Sequence, residues 1–412
     1  MPTVTTGVYA QTTGTTTPEV FRKFGERVVQ VQVVESSSSA KSTLGSAFFV
    51  TPQGHLITNY HVISQLVHAP TRYRVEWVDP RGVAHAAHIM NINVVNDLAV
   101  LRTDTTASSW FDVAPLELPK GARLFSLGNP HDLGLSIVEG TYNGLLEHTL
   151  YAKIHLTAPI NPGMSGGPTV TEQGNVVGVN VSTAGNEISF LVPAERVGVL
   201  LGATLAPGFT TPTNLLVEAG RQISTNQDVY LRGMFADTTK TVKLGPFVVP
   251  TEPESFFKCW ADADEEKDRP YSVSYHTCST DDYLFLSAEQ SSGIVELTHQ
   301  LITSKELSRS RFYAAYQAQL EGMLGGEDAS PEEVTSYRCS TRNVQGMTVT
   351  VRAVICLRRY RKLTGLYDAI IKTATLGPPN AGLVTTLTLA GVSAQNVERL
   401  TARLLRRIQW RG

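Results

Sequence analysis

A chain of 412 residues is long enough for two or more domains with a sizeable core. A formal charge of −2, with 17% charged residues, gives no case for nucleic acid or an anionic membrane as the main partner. No apolar run reaches the length of a membrane helix, so no membrane span is expected.

Residues 1–17 are polar and Thr-rich, without the apolar core of a secretory leader, and read as a flexible N-terminus. Either the protein is cytoplasmic, or the chain begins after a removed leader. Thr17-Pro18-Glu19 opens a short helix, with a hydroxyl cap, a first-turn proline and an acid. Short apolar runs then recur at 28–34, 45–51, 55–58, 73–78, 84–92, 98–102, 123–127, 136–142, 153–157, 176–182 and 188–192. Turn signals such as Pro52-Gln53-Gly54 and Gln173-Gly174-Asn175 separate them. Many short strands with Gly and Pro turns predict an all-β barrel or sandwich. Pro193 opens a helix over 194–201, closing a first domain at 18–203.

Residues 204–225, rich in Thr, Pro, Ala and Gly, read as a linker. The remainder, 226–412, reads as an α+β domain with an antiparallel sheet. Its strands are expected at 230–234, 241–249, 255–260, 283–286, 348–357, 365–372 and 383–390. A helix over 308–323 carries Phe312, Tyr316, Leu320 and Met323 on one side. Another over 394–408 carries Val397, Leu400, Leu404 and Ile408. All four cysteines, Cys259, Cys278, Cys339 and Cys356, lie in this half and fit no zinc-site spacing. They allow two disulfides, such as Cys259 with Cys278 and Cys339 with Cys356, among three connectivities; four buried thiols are the alternative. Bridged cysteines point to a periplasmic or secreted location.

The chemistry gathers around Asn161-Pro162-Gly163-Met164-Ser165-Gly166-Gly167-Pro168. A serine between glycines suits a nucleophile on a tight turn, where the amides of Gly163 and Ser165 can face an oxygen that becomes negative. Serine needs a base, and the base an orienter. His61 lies where the apolar run 55–58 enters a helical turn, and Asp97 heads the apolar run 98–101. Taken alone, a histidine or a strand-edge acid is most often structural. Their order, His then Asp then Ser, gives them joint meaning.

Gly45-Ser46-Ala47-Phe48-Phe49-Val50, Thr58-Asn59-Tyr60-His61-Val62, Asp97-Leu98-Ala99-Val100, the stretch around Ser165 and Ile188-Ser189-Phe190-Leu191-Val192-Pro193 resemble the HtrA/Deg family of trypsin-like serine proteases. The resemblance covers roughly residues 21–201. It implies a chymotrypsin-like double β-barrel with the site between the barrels. In that frame Ser165 is the nucleophile, His61 the base and then the acid, and Asp97 the orienter, with Gly163 and Ser165 as the oxyanion hole. Ile160, Val181, Ser182, Thr183 and Ser189 line the implied specificity pocket. None is charged, so a small or medium apolar residue before the cut is expected. Met164 stands where the family usually has Asn. The glycine loop that opens the family's PDZ domain is missing after residue 225, so that family's trimer assembly and regulation are not implied.

Other signals carry less. Gly163-x-Ser165-x-Gly167 also satisfies an α/β-hydrolase elbow, but strands follow it rather than a helix. His85 and His88 fall on opposite faces of a strand, so no metal pair is expected. Asn180-x-Ser182 matches a glycosylation sequon within a core strand and reads as structural. Arg399, Arg403, Arg406, Arg407 and Arg411 read as a solvated helix face, and 262–268 as an exposed acidic loop. The chain thus reads as a serine endopeptidase acting on polypeptides, without metal or cofactor, with its second half open to a protein partner or regulator. The alternative is a protease-fold scaffold that is latent until activated, the loop 127–139 being where such switching would occur.

Overall fold

Valines alternating with polar residues set the first barrel. In β1 (Val28–Glu35) Val29, Val31 and Val33 point into the barrel, while Val28 points to the opposite side, toward the second barrel. In the computed structural model, which describes residues 15–183, 185, 187–236, 238–264, 269–321 and 329–411, α1 (Thr17–Phe24) precedes this strand. The first barrel closes in the order β1, β2 (Lys41–Phe49), β3 (His55–Thr58), β6 (Leu98–Thr103), β5 (Ala84–Asn93) and β4 (Tyr73–Val78). Helix α2 (Tyr60–His68) links β3 to β4.

The second barrel contains β7 (Arg123–Gly128), β8 (Ser136–Leu145), β9 (Ile154–Thr157), β10 (Pro168–Val170), β11 (Val176–Thr183) and β12 (Ile188–Pro193). It closes in the order β10-β11-β12-β9-β8-β7. Phe48, Ile57 and Val100 from the first barrel meet Phe125, Val170 and Val179 from the second in one apolar cluster, so the seam between barrels is itself a core. The double-barrel expectation is met, and α3 (Ala194–Leu205) closes it on Val197 and Leu200.

The second half differs from expectation at its start. Residues 215–225, read as linker, and 230–234, read as strand, belong largely to α4 (Leu215–Tyr230) and the turn after it. Asn214 caps that helix by accepting from the amides of Leu216 and Val217, and Ala219, Ile223, Gln227 and Tyr230 form its buried stripe. The Pro- and Gly-containing stretch before Asn214 hid this helical period.

A hairpin of β13 (Thr241–Leu244) and β14 (Phe247–Pro250) follows. The main sheet is built from β15 (Lys258–Asp264), β16 (Ser272–Ser279), β19 (Val295–Thr303), β20 (Arg338–Gln345), β21 (Thr350–Arg359), β22 (Leu366–Leu376) and β23 (Ala381–Ser393). Their order, β15-β16-β19-β23-β22-β21-β20, is antiparallel throughout. A separate hairpin, β17 (Leu284–Ser287) with β18 (Gln290–Ser292), stands apart from it. β16, β19 and β20 were not read from the sequence; polar residues at many of their positions break the apolar signal.

Helix α5 (Arg309–Glu321) buries Phe312 and Tyr316 as expected; the Leu320 side chain and Met323 lie outside the described residues, as do 265–268 of the acidic loop. Helix α6 (Ala394–Arg407) buries Val397, Leu400 and Leu404, with Ile408 buried just beyond. Two of its arginines hold main chain: Arg403 donates to the carbonyls of Arg232 and Met234, and Arg407 to that of Thr239. Both disulfides form, Cys259–Cys278 and Cys339–Cys356. His276 adjoins the first, but those sulfurs are bonded to each other and so cannot serve as thiolate ligands. Two disulfides accord with an oxidising, extracytoplasmic compartment.

Candidate active site

His61 is the second residue of α2, placed by the β3 strand that delivers it to the seam between the barrels. Asp97 sits in the turn before β6, at φ +52°. A non-glycine residue there is uncommon and costs of order 1–3 kcal/mol. The turn aims both carboxylate oxygens at one residue. Asp97 Oδ2 lies 2.6 Å from His61 Nδ1, and Asp97 Oδ1 accepts the His61 backbone N–H at 2.8 Å. Asn59 Nδ2 donates to the Asp97 carbonyl at 2.8 Å and ties the two turns together. Burial alone pulls the His61 pKa down, but the charge and hydrogen bond of Asp97 outweigh it and hold the imidazole above its ordinary value. That leaves Nε2 as the open ring nitrogen, the position a general base needs.

Ser165 sits on the tight turn that its glycines require. Gly163 has φ +95° and Gly166 φ +86°. A Cβ at Gly163 would meet the Asn129 carbonyl at 2.4 Å, and one at Gly166 the Ser46 carbonyl at 2.2 Å. The turn is fixed to the first barrel where the amide of Ser46 donates to the Ser165 carbonyl at 2.8 Å. Neighbouring carbonyls are also occupied: Ser46 Oγ donates to that of Gly163 at 2.7 Å, and the His131 amide to that of Pro162 at 3.0 Å. Among the described residues, the amides of Gly163 and Ser165 donate to nothing. Two free N–H groups on a rigid turn are what a developing oxyanion requires. Ser165 Oγ donates to the Val181 carbonyl at 3.4 Å, its one hydrogen bond among the described residues.

Sequence reading missed the groups that hold this turn. Asn180, noticed only as a sequon, is fully buried. Its Oδ1 accepts from Thr169 at 2.7 Å, and its Nδ2 donates to the carbonyls of Leu127 and Met164 at 3.2 and 3.3 Å. Its structural reading stands. Ser46 and Thr58 form a second brace, Thr58 Oγ1 donating to the Ser46 carbonyl at 2.7 Å. Such braces have no spacing signature, because they join residues far apart in the chain. Met164 fills the second barrel's interior with Leu124, Leu156 and Leu191.

The residues nominated for specificity are only partly alike in role. Ile160 is buried against the same barrel interior, and Ser189 spends its hydroxyl on the Ala158 carbonyl at 2.7 Å. Val181 borders the cleft. Ser182 and Thr183 continue β11, while their side chains lie outside the described ones. His85 stacks on Trp77 at 4.7 Å and approaches Asp79, whereas His88 is exposed, so the two do not converge. In the loop 127–139, Asp132 takes Gln30 and Lys41, both from the first barrel.

Part of the second half completes the cleft. A cavity of about 240 Å³ beside His61 and Asp97 is lined in part by Tyr283, Leu284 and Phe285. Phe285 meets the His61 ring edge-on, with centroids 5.8 Å apart.

Residues 45–179 match the family model described as a trypsin-like peptidase domain. Among similar proteins, Protease Do-like 1, chloroplastic, of Arabidopsis thaliana is 30% identical over 183 residues, spanning 40% of this chain and 40% of that protein. Protease Do-like 5, chloroplastic, of the same plant is 27% identical over 212 residues, spanning 43% of this chain and 66% of that protein. The solved structure of Deg5 is 27% identical, spans 46% of this chain and 93% of that one, and superposes with a TM-score of 0.39. The chain thus spans less than half the length of the first relative and just under two thirds of the second.

Proposed function

We propose that the N-terminal half, an HtrA/Deg-like trypsin-fold serine protease domain, hydrolyses peptide bonds in polypeptide substrates through Ser165, His61 and Asp97. The observation that carries this reading is the two-point grip of Asp97 on His61, together with a serine turn whose amides are free among the described residues. Ser165 Oγ attacks the substrate carbonyl carbon while its proton passes to His61 Nε2. The oxygen becomes negative and takes hydrogen bonds from the Gly163 and Ser165 amides. Collapse expels the amine, which receives the proton from His61 and leaves an acyl group on Ser165. Water, deprotonated by His61, then releases the acid and restores the serine. Asp97 holds the tautomer and stabilises the imidazolium throughout. The absence of charge among the residues assigned to the specificity pocket, Ile160, Val181, Ser182, Thr183 and Ser189, supports a small or medium apolar residue before the cut.

The chain is proposed to divide into the protease unit, 18–203, and a second α+β unit that contacts substrate, a partner or a regulator. Its disulfides support a periplasmic or secreted setting. Among the described residues, no helix is long and apolar enough to cross a membrane. A second reading, a latent protease or scaffold, draws on the Ser165 hydroxyl being turned to Val181. Casein digestion by wild type and Ser165→Ala separates the two. Cuts by the wild type alone, after apolar residues, support the peptidase. Absence of both cleavage and Ser165-dependent fluorophosphonate labelling supports the scaffold.

A further inference from the structure

The His61-bearing helix is gripped from the second half of the chain. Tyr60 Oη donates to the Leu286 carbonyl at 3.3 Å, and Leu284 and Leu286 share a core with Tyr60, Ile63 and Val67. Just upstream, buried Asp282 is bound on both oxygens by the loop between β8 and β9. Its Oδ2 accepts the Leu150 amide at 2.7 Å, and its Oδ1 pairs with Lys153 Nζ at 2.7 Å. The three residues between these anchors, Tyr283-Leu284-Phe285, are therefore held at both ends beside the reactive imidazole.

They complete a cavity whose lining is mostly apolar, with Asn96, Asp97 and Lys153 as its polar members besides His61, and Lys153 already paired with Asp282. Val94 and Val95 bound one side, and Tyr151 and Val181 another, Tyr151 being oriented by Asn226 of α4 at 2.7 Å. Val181 also receives the Ser165 hydroxyl, so the cavity adjoins the nucleophile. Val181 is shared with the pocket assigned to the residue bearing the scissile carbonyl, whereas Ile160, Ser165 and Ser189 do not line this cavity, so the two adjoin at Val181. Its volume of about 240 Å³ falls below the usual ~300–1,000 Å³ of sites for whole small molecules and suits one side chain.

We propose that Tyr283 and Phe285, supplied by the second half, form the wall of a subsite for one apolar side chain of the substrate, next to but distinct from the residue at the cut. This inference rests on the serine-peptidase reading of His61, Asp97 and Ser165. It makes the second half a determinant of which sequences are cleaved.

The test uses the full-length chain. Fluorophosphonate labelling of wild type and Ser165→Ala comes first; no Ser165-dependent labelling removes the peptidase reading, and the subsite with it. With labelling established, peptides that share the residue at the cut and vary neighbouring positions among Gly, Ala, Leu and Phe are compared by kcat/KM. The expected result is a preference for Leu or Phe over Gly at one neighbouring position. Phe285→Ala reduces that ratio about tenfold, the scale of a lost apolar contact, and Phe285→Leu retains most of it. Tyr283 is 56% exposed, so Tyr283→Ala disturbs folding least and also lowers the ratio. The subsite reading is overturned if labelling is intact and the ratios do not move in any of these variants. A uniform acceleration of every peptide by Phe285→Ala also overturns it, since that marks a cover over the site rather than a reader of side chains.

Discussion

At the scale of single residues, the reading turns on how Asp97 spends its two oxygens. A carboxylate can accept from both the His61 amide and Nδ1, and here it does. An amide in its place must turn an NH₂ group toward one of those donors. Asp97→Asn is expected to lower kcat about 10⁴-fold, as loss of the correct tautomer does in such sites. The pH profile adds a sign. Asp97 holds the His61 pKa above 6.5, and a protonated imidazole cannot accept the serine proton. Wild-type activity is therefore expected to fall as pH drops, with a midpoint on the high side of the ordinary histidine value. In Asp97→Asn both raising influences are gone while burial remains, so the residual activity persists to lower pH. A kcat/KM profile of both proteins checks this; an unmoved acidic limb counts against Asp97 as the partner that sets it. These candidates were legible because each lies in a short local motif. Asn180 and Ser46 were not, because their hydrogen bonds close only when the two barrels fold.

At the scale of elements, the large sheet contains a polar crossing. His299, on β19, is fully buried, with Nε2 2.8 Å from the Pro250 carbonyl of β14 and Nδ1 2.8 Å from Thr385 Oγ1 of β23. A neutral ring satisfies both, donating to the carbonyl and accepting from the hydroxyl. Burial pushes its pKa down to about 3, and the nearby His276 adds to the effect. The unfolded chain takes up this proton near pH 6.5, whereas the folded chain resists until about 3. Stability is thus present above pH 6.5 and lost as pH falls toward 3, at a limiting slope of about 1.4 kcal/mol per pH unit from this group. His299→Gln is expected to be less stable at pH 7 yet to lose less stability between pH 6 and pH 4. Urea unfolding at several pH values tests it, and parallel curves for the two proteins would reject the assignment. The helical patterns of α5 and α6 were readable because apolar residues recur every third or fourth position. The exposed strand β20 was not, since its pairing supplies order without an apolar face.

At the scale of the molecule, the two halves share a core: Tyr360, Leu363 and Leu366 pack in the same cluster as Ile63 and Val67. A chain position so remote from α2 leaves no sequence trace of this contact. The cysteine spacing left two disulfides open beside four buried thiols, and it did not say where staples would act. Each disulfide joins residues directly opposite in the outermost strand pair of the seven-stranded sheet, Cys259 with Cys278 at one edge and Cys339 with Cys356 at the other. An edge strand is hydrogen-bonded along one side only and frays first. β20 has further little apolar surface to hold it, so its covalent link matters most. The Cys339–Cys356 bridge spans 17 residues, a loop whose closure is worth about 3 kcal/mol in the chain-entropy account. Replacing both cysteines by alanine is therefore expected to cost about 2–4 kcal/mol in urea unfolding. Hydrogen exchange in the same variant should lose protection along β20 and the facing side of β21, while β19 and β23, at the centre of the sheet, stay protected. Uniform loss across the sheet would mean that the staple supports the whole unit and not its edge.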